Sequence, residues 1–288
     1  MLPLDSFSAL SIAACALLLA TVVGLWLAPR RGWIALLVAT LVAGYVAGVL
    51  HGPAAIWIVL LAAALLIYRR FSLLWVRGLS AVVIVALVLL LGTHVLPGFS
   101  NPLVVRDVVL TPGAVPYTLY FNFDKTIAGI LLLGIGGMSS VVPSLSEGLK
   151  RALPIMTLTV LVAMLLSLAM GYVRFEPRWH SLFWIWAIAN LFLTCLSEEA
   201  FFRAFIQRET QNALGSRPYA VPIAVSISAV LFGVAHFAGG WPYVVLATVA
   251  GLGYALVYER TRRIELAMLT HFALNATHFL LFTYPSLR

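Results

Sequence analysis

Charge is scarce in this chain: only 10% of its 288 residues are Asp, Glu, Lys or Arg, against about 25% in ordinary globular domains. That shortage excludes a soluble enzyme. Cysteine is nearly absent too, and the two present, Cys15 and Cys195, both lie inside apolar runs, which points away from a disulfide framework and from a thiolate metal site. Basic residues outnumber acidic ones 18 to 10, yet no basic patch with interleaved aromatics occurs, so nucleic acid is not an expected partner. Repeats at solenoid or inverted-topology spacing are not evident.

Apolar residues take the place of charge, at 62% of the chain and a mean hydropathy of +1.04. A bilayer core offers no water to the backbone, so a chain of this kind satisfies its peptide groups internally, and continuous runs favour helices over a barrel. The fold class expected is all-α, a polytopic transmembrane bundle. Runs near the roughly 20 residues of a spanning helix fall at about 8–28, 33–50, 54–68, 79–96, 126–142, 153–172, 181–197 with a continuation, 218–238, 241–258 and 264–284. That gives about ten spans, the third of them short. The first lacks a basic leader and reads as a retained helix rather than a signal peptide.

With the amino end outside, alternation places Arg30, Arg31, Arg69, Arg70, Arg77, Lys150, Arg151, Arg208, Arg217, Arg260, Arg262 and Arg263 on the cytoplasmic side. Arg106, Lys125, Arg174, Arg178 and Arg288 fall outside, and Arg203 falls within a helix. The skew supports ten spans with both termini outside. Residues 1–96 read as four scaffold helices, 97–125 as an extracytoplasmic loop that could serve as a lid, and 126–288 as a six-helix core.

Ionisable groups within membrane helices cost about 2.5–3.5 kcal/mol each on insertion scales, so their clustering is informative. Nearly all lie beyond residue 190, in three sets. In the first, Ser197-Glu198-Glu199-Ala200-Phe201-Phe202-Arg203, the four-residue spacing puts Glu199 and Arg203 on one face as an ion pair, while Glu198 projects about 100° away. Glu199 and Arg203 then brace the helix, and Glu198 is left for chemistry. In the second, Phe232 sits one turn before His236 and can pack on its ring. In the third, His271 and Asn275 share a face, with His278 nearby, and supply the two donors that a developing oxyanion needs. Taken singly, each set is also explained by helix packing or a solvated helix end.

E-E-x-x-x-R, F-x-x-x-H and H-x-x-x-N, in that order on successive membrane helices, resemble the CPBP family of intramembrane glutamic endopeptidases, which comprises the CAAX prenyl endopeptidases and the bacteriocin-processing or immunity (ABI) proteins. The resemblance covers roughly residues 180–285. It implies a cofactor-free peptidase in which Glu198 and His236 activate water, His271 and Asn275 form the oxyanion hole, and Glu199 and Arg203 support them. It also implies a multi-pass protein of a bacterial inner membrane acting on a membrane-bound or lipid-modified substrate, whether prenylated peptide, leader peptide or C-terminal sorting tail.

Rival readings stay open at this point. One carboxylate with two histidines is a possible zinc ligand set, although H-E-x-x-H is absent. Cys195 with His236 could form a cysteine peptidase, and a proton-coupled transporter or a non-enzymatic immunity factor would also place Glu and His in the membrane. Depth poses a difficulty as well. Ideal helices put His271 about 10 Å, but His236 about 25 Å, from the cytoplasmic start of their respective spans.

Overall fold

A computed structural model describes residues 8–28, 31–137 and 144–288. Among these residues it contains ten helices and one two-stranded sheet. In chain order they are α1 (Ala9–Leu27), α2 (Gly32–Val46), α3 (Gly52–Arg70), α4 (Leu74–Gly92), β1 (Leu103–Val108), β2 (Tyr117–Tyr120), α5 (Phe123–Gly136), α6 (Leu145–Ala169), α7 (Phe183–Leu214), α8 (Ala220–Ala235), α9 (Gly240–Thr261) and α10 (Ile264–Leu281). Each helix answers to one expected span. Seven are long and apolar enough to cross a membrane, and α2 and α8 are shorter apolar helices. The protein is thus an all-α, multi-pass membrane bundle.

Local chemistry explains where boundaries moved. The third run is short in composition, but α3 extends through Pro53 at its first turn and Arg69 and Arg70 at its last; proline suits a helix start and cations suit a helix end. Conversely α2 stops early, because Gly48 turns the chain at φ +71° and the Val49 and Leu50 N–H groups fold back onto the Gly44 carbonyl. The end of the fifth run, 138–142, lies outside the described residues. The stretch 97–125, expected as an extracytoplasmic loop, holds the β1–β2 pair.

The chain forms two compact units. The first comprises Met1–Val105, Leu119–Met138 and Phe192–Ser197. In it α1 packs along α2, joined by a buried bond between the hydroxyls of Thr21 and Thr40, 2.8 Å apart, each within reach of a carbonyl of its own helix. Helix α5 lies against α1, α3 and α4, and Gly134 leaves just enough room for the Trp33 indole.

The second unit comprises Arg106–Thr118, Ser139–Leu191 and Glu198–Arg288. Helix α9 is its centre, packed on α6, α8 and α10. Close approach depends on small residues: a Cβ at Gly253 would come within 2.0 Å of the Thr159 hydroxyl, the small-residue logic of membrane helix contacts. Leu158 and Leu165 of α6 stay well exposed, as lipid-facing side chains do. Exposed Trp179, Trp184 and Trp241 gather near the starts of α7 and α9, where interfacial aromatics sit. Within this unit the 106–118 segment is tied to the chain end: the Val115 N–H donates to the Ser286 carbonyl and the Arg288 N–H to the Gly113 carbonyl.

Candidate functional site

Helix α7 is irregular where its charges lie. Two π-helical turns, Asn190–Cys195 and Phe202–Gln207, bracket the six-residue α-helical stretch Leu196–Phe201 that carries both glutamates. A π turn widens the helix and leaves carbonyls without their usual partners, and such turns concentrate at functional sites. Neighbouring helices take up the strain of the second turn. The Ser228 hydroxyl of α8 donates to the Phe202 carbonyl at 2.9 Å, and the Gln207 amide donates to the Ala255 carbonyl of α9 at 3.1 Å.

Glu199 and Arg203 are both completely buried and paired at 3.1 Å, as their spacing leads one to expect. Arg203 also donates to the Gly251 carbonyl at 2.9 Å, and its guanidinium lies 4.8 Å from the centre of the Phe232 ring. Beyond the ion pair, the second oxygen of Glu199 meets Nδ1 of His271 at 2.9 Å. Glu199 is therefore a bridge from Arg203 to His271. The His271 ring is stacked on Tyr254, 4.5 Å away and 15° from parallel, and meets the Phe232 ring edge-on at 5.6 Å.

Glu198 projects elsewhere, about one-fifth exposed, with its Oε2 3.8 Å from Nε2 of His236 and 3.9 Å from Nε2 of His271. Nδ1 of His236 is 2.7 Å from the Phe232 carbonyl. A carbonyl only accepts, so Nδ1 carries the hydrogen and Nε2 presents a lone pair toward Glu198 in the neutral ring. Phe232 thus holds His236 twice, through its carbonyl and through ring packing at 4.6 Å. Tyr243 closes the other side of the imidazole at 5.4 Å.

The depth difficulty resolves through an axial offset. Phe232 is the thirteenth residue of α8, and it touches His271, the eighth of α10. At 1.5 Å per residue α8 therefore starts about 7 Å before α10 along their common direction, which brings the end of α8 back toward the level of His271. His236 caps α8, and its side chain points back along the helix toward Phe232. Glu198, midway along the 32 residues of α7, lies within 4 Å of both rings.

Asn275 follows His271 by one turn, and its amide donates to the Asn190 side chain at 3.2 Å. Asn190 is absent from the sequence reading, although an amide in an otherwise apolar run carries the same insertion-cost signal as the charges. His278 instead reaches the Thr283 carbonyl at 3.1 Å and so serves the end of α10. Cys195 is fully buried, which argues for a packing role. Among the described residues no three His, Cys, Asp or Glu side chains are grouped to hold a metal ion.

A multi-pass bundle with carboxylates and imidazoles converging inside it defines the class as a membrane protein with a buried polar site. Residues 179–277, about a third of the chain, match the family model described as type II CAAX prenyl endopeptidase Rce1-like. The match supports the CPBP/CAAX protease family and indicates a CAAX-type membrane endopeptidase. No curated protein and no solved structure matches the chain.

Proposed function

We propose that the chain is an intramembrane glutamate-dependent endopeptidase in which Glu198 and His236 activate water and His271 with Asn275 receive the oxyanion. The observation that carries this reading is the placement of Glu198 Oε2 3.8 and 3.9 Å from two imidazole Nε2 atoms. These gaps are too long for direct hydrogen bonds and suit a bridging water. Such a water points one hydrogen at His236 Nε2 in a hydrogen bond and keeps it, and gives the other as a proton to Glu198 as its oxygen attacks the scissile carbonyl. Glu198 then returns that proton to the leaving amine, so the sum is water plus peptide giving acid plus amine.

The oxyanion forms on the His271 and Asn275 side. With Nδ1–H committed to Glu199, His271 donates from Nε2 only as the imidazolium, a cation with Glu199 at 2.9 Å and Glu198 at 3.9 Å. One Asn275 N–H is held by Asn190 and the other is available to the oxyanion. Glu199 and Arg203 act through His271 as positioning residues. The substrate class is a membrane-bound or lipid-modified peptide, whether prenylated peptide, leader peptide or sorting tail, and the setting is a bacterial inner membrane.

The test is Glu198→Ala in cells, followed by comparison of the N- and C-termini of membrane proteins with those of cells carrying the intact chain. Accumulation of an uncut precursor, and cleavage by purified protein that survives exhaustive chelation, are the expected results. Unchanged termini, or loss of cleavage on chelation with recovery on adding zinc, would overturn the mechanism.

A further inference from the structure

Away from this site, the first unit contains a cavity of about 580 Å³, within the roughly 300–1,000 Å³ of ordinary small-molecule sites. Its lining combines Arg31, Arg69 and Arg70 with apolar side chains that include Trp33, Ile34 and Leu66. Arg31 caps the start of α2, and Arg69 and Arg70 end α3. The three cations therefore gather at one cavity where α2 begins and α3 ends, the end that the charge skew assigns to the cytoplasmic side. Arg69 is pre-oriented by donating to the Ile135 carbonyl at the end of α5.

Among the described residues the lining holds no carboxylate, and the sequence has no Asp or Glu anywhere between Asp5 and Asp107. Three clustered guanidiniums with no acid among the described lining residues, next to the partially positive N-terminus of α2, call for an anion from outside the chain. Apolar side chains sharing the lining with the cations call for hydrocarbon on the same ligand. We infer that this cavity binds an anionic phospholipid, its phosphate on Arg31 and Arg70 with Arg69 beside them, and an acyl chain along the apolar lining. Basic pockets between helices on the cytoplasmic side are well suited to such headgroups, and the acid-free N-terminal helices acquire a role that the peptidase reading leaves unassigned.

The test is native mass spectrometry of the full chain, delipidated in detergent and offered equimolar phosphatidylglycerol and phosphatidylcholine. The expected result is at least tenfold preferential retention of phosphatidylglycerol. Arg31→Gln with Arg70→Gln, which leaves the Arg69–Ile135 bond in place, abolishes the preference, and Arg31→Lys with Arg70→Lys keeps most of it. Ile34→Trp with Leu66→Trp crowds the apolar lining without touching charge and lowers retention, while Arg217→Gln, outside the cavity, changes nothing. Equal retention of the two lipids by the unaltered chain, undiminished preference in both the Gln and Trp variants, or displacement of the lipid by millimolar inorganic phosphate would each overturn the inference. Thermal unfolding of every variant identifies any that fails to fold, and the remaining pair then decides.

Discussion

Adjacent glutamates one residue apart should fail in different ways, and Glu199 gives the sharper test. Glu199→Gln removes the anion from a pair in which both side chains are completely buried. Arg203 then keeps its charge without its buried partner, with the Gly251 carbonyl and the rings of Phe202, Phe232 and Tyr254 against it and Glu198 as a more distant anion. Breaking a buried pair from one side costs about 3–5 kcal/mol. At about 2–4 °C per kcal/mol for a chain near this size, the melting temperature in detergent should fall by roughly 6–20 °C. Removing both charges, in Glu199→Gln with Arg203→Met, should recover most of that loss, since no unpaired ion remains. Cleavage should not recover with it, because a Gln side chain still accepts from His271 Nδ1 but no longer supports an imidazolium. By contrast Glu198→Gln, at a partly exposed position, should abolish cleavage while changing stability by less than about 1 kcal/mol. Thermal unfolding by fluorescence-detected size exclusion, run beside precursor cleavage, separates these outcomes. A double variant as unstable as the single one would refute the coupling, and a double variant with full activity would refute the positioning of His271 by Glu199.

Three further outcomes follow from the same geometry. Asn190→Leu should lower kcat about tenfold with little change in KM, because it frees the Asn275 amide without deleting it, a milder loss than the roughly 10²–10³-fold of removing an oxyanion donor; a change confined to KM would count against it. A Cβ on Gly233 would lie 1.9 Å from the Thr248 hydroxyl and 2.7 Å from the Val244 carbonyl, so Gly233→Ala should destabilise by about 1–3 kcal/mol through overpacking. Thr248→Ala should restore part of that, and full restoration would mean the backbone contact is slack. At the start of α7, the Leu182 N–H donates to His180 Nδ1 at 3.1 Å, and burial, with the Arg178 charge adding to it, holds His180 below its ordinary pKa of 6.5. A base whose folded pKa is depressed contributes stability above its unfolded pKa and loses it on acidification; melting temperatures should therefore fall as pH drops below about 6.5, and His180→Asn, which keeps an acceptor, should flatten that decline.

What the sequence discloses here follows the reach of helical periodicity. The Glu199–Arg203 pair, the packing of Phe232 on His236 and the shared face of His271 and Asn275 are all contacts one turn apart, and all are legible because a helix fixes which residues are neighbours. The spans are legible for an equally local reason, since hydropathy over about 20 residues needs no knowledge of the partner helix. Contacts made between helices are not. The bond from His271 to Glu199 joins residues 72 positions apart, and nothing in either motif specifies it. Nor does the spacing disclose the two π turns, which have no distinctive residue pattern yet change the facing of every side chain beyond them. These turns have a clear consequence for the site. A regular α7 would need only its own hydrogen bonds, whereas this one leans on Ser228 of α8 and on Ala255 of α9 through Gln207. The helix bearing Glu198 is thereby held by the elements adjoining its two imidazoles, so the carboxylate and its histidine neighbours are positioned as one assembly.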